Sequence, residues 1–189
     1  MDFRQILKLQ FDEYQLETKR LVDGLTDEER RFIPSEDSHH IDFALWHAAR
    51  AEDILLNFGA REQDQLWTHS GWHEKFGIPA RDIGVGYTME QVKGMPPTPL
   101  SLLLEYYDAC REQTLDYVAT VDPDDLDVKS PFEALHHQLP GVTKGGVLAH
   151  MVVEPVQHLG QIGYIRGCLL YTSDAADEGL GVDLGGRRI

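Results

Sequence analysis

Four stretches of this chain carry apolar side chains at steps of three and four residues, and none alternates apolar and polar residues for long enough to make a convincing strand. That period gathers the apolar residues onto one stripe of an α-helix, which needs neighbouring stripes to leave water. Four such stripes satisfy one another as a four-helix bundle, so the expected fold is all-α. The first stretch covers residues 2–25, with Phe3, Ile6, Leu7, Phe11, Tyr14, Leu21, Val22 and Leu25. The second covers residues 40–58, with Ser38 or Asp37 as candidate cap and Gly59 as candidate stop. The third opens at Thr98-Pro99, a capping residue followed by proline at the first helical position, and ends near Val121-Asp122-Pro123. The fourth begins near Gly146 and ends near Arg166, with Val147, Met151, Pro155, His158, Ile162 and Ile165 facing inward.

The connections are unequal. Residues 26–40 read as a polar link, and residues 122–146 as a second one with a solvated acidic run at Asp122–Asp127. Residues 59–98 form a long irregular connection rich in glycine and proline, which is functional in many compact domains or carries short local structure. It holds Trp67, His69, Trp72 and His73. Trp72 and His73 are candidates for the mouth of a site, although a tryptophan there also serves as a loop anchor. Mid-helix, Pro155 removes one backbone donor, so a bend is expected.

Composition narrows the functional classes. The 189 residues carry a formal net charge of −15, which repels phosphate backbones and makes nucleic acid an unsuitable partner. No apolar run approaches the roughly 18 residues of a membrane span, and the first residues do not read as a signal peptide. Two cysteines, Cys110 and Cys168, make neither a disulfide scaffold nor a four-thiolate zinc site. A cytoplasmic protein is expected. Cys110 reads as a small buried hydrophobe. The pairs His39-His40 and His136-His137 lie in connections and read as solvated.

The chemistry concentrates on the last helix. Glu154 and His158 are four residues apart and stack on one face, on or beside the apolar stripe. Two such side chains hold a metal ion when a third ligand comes from another helix, and His47 in the second helix is the obvious third. One carboxylate and two imidazoles suit zinc, nickel, iron or manganese and leave coordination positions open. The spacing equally fits an ion pair on a wet helix face, with His47 a satisfied core histidine. His150, one turn before Glu154, is a candidate partner behind the ligands.

GLTDEE with its proline-containing connection, LWHAARAED in the second helix and HMVVEPVQHLGQIGYIRG at the end resemble the DinB/YfiT-like superfamily of four-helix bundles, over residues 1–167. The resemblance implies a divalent-metal site built from one histidine of the second helix and two histidines four apart in the last. Carried over, these are His47, Glu154 and His158. Glu154 stands where the family has histidine, and Leu159 where it usually has arginine. A carboxylate also ligates metal, and it shifts the preference toward harder ions. Characterised relatives include transferases that use low-molecular-weight thiols. The resemblance therefore implies a metal-dependent S-transferase or hydrolase, in which a thiol or a water attacks a small electrophilic substrate. Arg50 and Arg61 are the candidate cations for an anionic thiol. The alternative is a non-catalytic metal-binding or stress-associated bundle acting as a homodimer, paired through an apolar face on the first two helices.

Residues 168–189 (CLLYTSDAADEGLGVDLGGRRI) show no helical or strand period. Read back into codons, Cys168–Asp177 and Val182–Ile189 resemble the two constant parts of a transposase-based sequencing adapter, with Glu178–Gly181 in place of the variable index. The expectation is one bundle over residues 1–167 and a non-native, disordered tail in which Cys168, Arg187 and Arg188 carry no function.

Overall fold

The computed structural model describes residues 2–132 and 141–178, with side chains up to Leu170; His136 and His137 lie outside it. Among the described residues it is helical, with no strand and one isolated bridge between Lys129 and Thr143. Four long helices make the bundle: α1 (Phe3–Val22), α3 (Ile41–Asp53), α7 (Leu100–Thr120) and α8 (Lys144–Glu178). Short helices decorate the connections: α2 (Asp27–Arg30), α4 (Leu66–His69), α5 (Trp72–Phe76) and α6 (Met89–Lys93). The all-α bundle is the expected one. Helices α1 and α3 each pack against both α7 and α8. Among the described residues no helix is long and apolar enough to cross a membrane.

Helix α3 is the innermost. Eleven of its thirteen residues are buried. Helix α1 is looser, and Ile6, Leu9 and Leu16 on it are exposed. All six residues of the expected inward stripe on α8 are buried, Pro155 among them, and the helix is continuous through Pro155.

Two apolar clusters fill the bundle. One gathers Ile41, Leu45, Trp46, Leu103, Tyr106, Ile162 and their neighbours; the other gathers Phe11, Leu56, Val118, Val147 and Met151. Along every long helix polar side chains fall between the two clusters. They are Thr18 on α1, Arg50, Glu52 and Asp53 on α3, Arg111 and Thr114 on α7, and Glu154 and His158 on α8. This polar layer divides the core.

Several boundaries differ from those expected. The link after α1 contains α2, started by a capping box between Thr26 and Glu29. The cap of α3 is His40: its Nδ1 accepts from the Phe43 N–H and its Nε2 contacts the Val92 carbonyl at 3.2 Å. His40 is therefore buried, not solvated, and burial lowers its pKa to about 4. A histidine takes the cap because a ring nitrogen accepts as a serine hydroxyl does. Gly59 does not stop the helix. The chain widens into a π-helical segment, Ile54–Ala60, and a Cβ on Gly59 would overlap the Phe132 ring. The long connection winds through α4, α5 and α6, pinned by Trp67 and Trp72 in the core. Helix α8 was expected to end near Arg166 and instead runs on to Glu178. Leu169 is packed against the first apolar cluster there, and leucine and alanine are good helix formers.

Candidate metal centre

His47 projects from α3, and Glu154 and His158 project from α8. One ligand atom from each lies within 4.8 Å of the other two. His158 Nε2 is 3.2 Å from Glu154 Oε1, and His47 Nε2 is 4.0 Å from the same oxygen. The imidazoles meet edge to face, their centroids 4.8 Å apart. The i,i+4 pair on α8 and the third residue on α3 are thus brought together as expected.

Hydrogen bonds behind the cluster set its chemistry. His47 Nδ1 is bound to the carbonyl of Ile83, an acceptor only. That bond places the ring proton on Nδ1 and leaves Nε2 as a lone pair. His158 Nδ1 lies 2.8 Å from Gln161 Oε1, a contact that holds the ring with its Nε2 toward Glu154. Glu154 Oε1 completes the set. One nitrogen or oxygen from each of the three side chains therefore converges, an arrangement that can hold a divalent cation. The donor set of one carboxylate and two imidazoles fits zinc, nickel, iron or manganese and does not choose between them.

The electrostatics agree. Glu154 is held below the ordinary carboxylate range, first by its hydrogen bond to His158, then by the nearby His158, His150 and His47, against desolvation. Burial, helped by His158, pushes His47 down, which keeps it neutral and able to ligate. His150 lies one turn before Glu154, with its Nε2 3.5 Å from Glu154 Oε2.

The other expected site residues fall elsewhere. Trp72 packs on Phe76 and Tyr106, and His73 binds the Trp67 carbonyl, so both anchor the connection. Arg50 is 1% exposed; it is bonded to Asp53, Tyr106, Gln65 and the Asp82 carbonyl and is not available to an anionic ligand. Arg61 caps the π-helical segment at the end of the second apolar cluster. Cys110 is buried, and burial drives its thiol pKa well up, which makes it a poor nucleophile.

Sequence reading missed four contributors. The Ile83–Gly84 turn covers His47: Gly84 has φ +83°, and a Cβ on it would stand 2.8 Å from His47 Nδ1 and 2.9 Å from the Trp46 ring. Phe43 stacks on His47 with centroids 5.6 Å apart, and Tyr87 packs on Phe43. His39 packs on the other neighbour of this wall, Phe43, and bonds Gln161. The available signal was the Gly-Val-Gly run at 84–86, two flexible positions in an otherwise featureless stretch.

A sequence model of the DinB superfamily matches residues 10–162. Among solved structures, a conserved protein from Enterococcus faecalis is similar, with a TM-score of 0.79 and 22% identity, over 90% of this chain and 98% of that one. No curated protein matches the chain.

Proposed function

The chain belongs to the DinB superfamily, and from that premise we propose that it is a divalent-metal-dependent enzyme that turns a low-molecular-weight thiol or a water onto a small electrophilic substrate. The observation that supports this reading is the convergence of one ligand atom each from His47, Glu154 and His158 within 4.8 Å of one another. A divalent ion in that position supplies Lewis acidity, which makes a thiol or a water nucleophilic near neutral pH.

The chain's own residues do the rest. Glu154 and the two neutral imidazoles bring only one negative charge, so a bound divalent ion stays electrophilic. The Ile83 carbonyl and Gln161 fix the ring orientations. Phe43 and Tyr87 form an apolar wall beside His47 that excludes water and suits the carbon skeleton of an uncharged substrate. With Arg50 engaged in the core, recognition of an anionic thiol falls to other groups.

The zinc-loaded protein should consume a chromogenic aryl halide only when a thiol is present, if it is a transferase, or cleave a nitrophenyl ester without thiol, if it is a hydrolase. His158→Ala should abolish either activity. Metal uptake with neither activity would favour the non-catalytic bundle. For that reading the exposed Ile6, Leu9 and Leu16 on α1 would carry homodimer pairing, tested by sedimentation of the wild type against Leu16→Glu.

A further inference from the structure

We propose that the cavity between the π-helical segment and α7 is a second ligand site, one that takes a small molecule by a carboxamide or lactam edge. It is separate from the metal centre, since His47, Glu154 and His158 do not line it.

The cavity has a volume of about 750 Å³ and opens at the surface. That is room for a small organic molecule. Two amides line it: Asn57 from the π-helical segment and Gln113 from α7. Asn57 is only 2% exposed. The buried network behind these amides fixes which way each one faces. Asp53 Oδ1 accepts from the Leu66 N–H and Oδ2 from the Trp67 N–H, so the Asn57 atom 2.8 Å from Oδ1 is its NH2 group. The same nitrogen lies 2.9 Å from Gln113, whose facing atom is therefore the acceptor Oε1. One group is left over on each amide: the acceptor Oδ1 of Asn57 and the donor Nε2 of Gln113. Neither has a hydrogen-bond partner among the described residues. The network is closed toward the core and ends outward in one acceptor and one donor, both on side chains that line the cavity.

A polar atom on so buried a side chain as Asn57 calls for a partner. A ligand that satisfies both leftover groups at once presents a donor and an acceptor on one edge, as a primary carboxamide or a lactam does. The rest of the lining narrows the class. Phe58 and Leu66 offer apolar surface to a ring. Glu62 and Asp64 bring carboxylates, which disfavour an anion. Glu62 is held by Lys144 at 2.9 Å, and its backbone, at φ +56°, takes the left-handed form that a non-glycine residue rarely adopts. Next to it, the Gln63 N–H donates to the Asn57 backbone carbonyl at 2.7 Å, which ties this bend to the amide below.

The test uses the full chain without added metal and benzamide as the probe, followed by the side-chain NH2 signals of Asn57 and Gln113 in nitrogen–proton spectra. Benzamide carries the amide edge on an apolar ring, and saturable shifts of both NH2 groups are expected. Benzoate has the same shape but no donor and a negative charge, and should bind the wild type roughly tenfold more weakly or worse. Gln113→Glu still accepts from Asn57 and has no donor left for the ligand, so it should weaken benzamide binding by about tenfold. Benzamide that shifts neither NH2 group up to its solubility limit, benzoate that binds as well as benzamide, or a folded Gln113→Glu that binds benzamide undiminished would each overturn the site. Should the variant not fold, the comparison of the two probes on the wild type decides alone. None of these outcomes bears on the metal centre.

Discussion

Two groups of polar side chains share the layer between the apolar clusters, and they differ in how their charges are paired. Around α3 and α7, Arg111 holds Glu52 through two bonds of 2.8 and 2.9 Å and also donates to the Phe11 carbonyl and Tyr107. Asp53 accepts from Asn57, Tyr106, Arg50 and the backbone of Leu66 and Trp67. Every donor there faces an acceptor. Such a network is complete in itself and needs no ligand. Around α3 and α8, His47, Glu154 and His158 bring one ligand atom each within 4.8 Å of the others, with no arginine or lysine among them. One carboxylate and two imidazoles so placed make a candidate cation site. The arginine–carboxylate network is almost wholly buried and its charges are paired, while the side chains of His47, Glu154 and His158 stay 10–17% exposed and bring one carboxylate and two imidazoles.

Breaking the closed network should have the largest effect on folding. Glu52→Ala leaves the fully buried Arg111 charge without its carboxylate and should cost about 3–5 kcal/mol in chemical denaturation. Replacing both together, Glu52→Leu with Arg111→Met, should recover most of that loss. Equal destabilisation by the single and double variants would show that the pair is not the unit described here.

His40 belongs to the closed class, since both ring nitrogens are engaged. Its folded pKa of about 4 lies below the ordinary 6.5, so the unfolded chain binds a proton that the folded chain refuses. The contribution is therefore fully present above pH 6.5 and is lost as pH falls toward 4, by about 3 kcal/mol at most. His40→Asn keeps a capping acceptor and cannot titrate, so it should flatten the stability profile in that window. An unchanged profile would assign the acid sensitivity to other groups; Glu154 acts in the same direction, its contribution being lost below its own ordinary range.

The open cluster should respond to metal where the closed one does not. At a zinc concentration 100 times the dissociation constant the wild type should gain about 2.7 kcal/mol of stability, and a chelator should reverse it. His47→Ala should show neither effect while keeping Glu52–Arg111 intact. A smaller change is expected at the turn that orients His47. Gly84→Ala puts a side chain into the left-handed region, which costs about 1–2 kcal/mol, and crowds His47 Nδ1, so zinc binding should weaken along with the melting temperature. Loss of stability with full zinc affinity would separate the turn from the site.

The contrast also explains what could be read in the sequence. The four long helices were legible because their stripes repeat at the helical period, and Val147 through Ile165 are buried in the expected order. The ligand set was legible in part. An i,i+4 Glu–His pair is a local pattern, and the resemblance to a bundle family pointed to His47. The orientation of the His47 ring was not legible, because it depends on the Ile83 carbonyl, 36 residues away in the chain. Arg50 looked like a free cation for the same reason: its partners Gln65, Asp82 and Tyr106 are distant in sequence. His40 and Trp72 looked like loop residues because tertiary burial, not period, decides their fate. Helix α8 outran its expected end because packing of Leu169 outweighs the missing stripe.

The central claim is that His47, Glu154 and His158 form a cation site and not merely a polar pair with a core histidine beside it. It is tested most directly by elemental analysis of the full chain after incubation with zinc, nickel or manganese and removal of free ions, next to His158→Ala. The account predicts one equivalent of metal per chain in the wild type and none in the variant. No retained metal in either, with both proteins folded, would contradict it and leave Glu154 and His158 as an ordinary ion pair in the wall of a helical bundle.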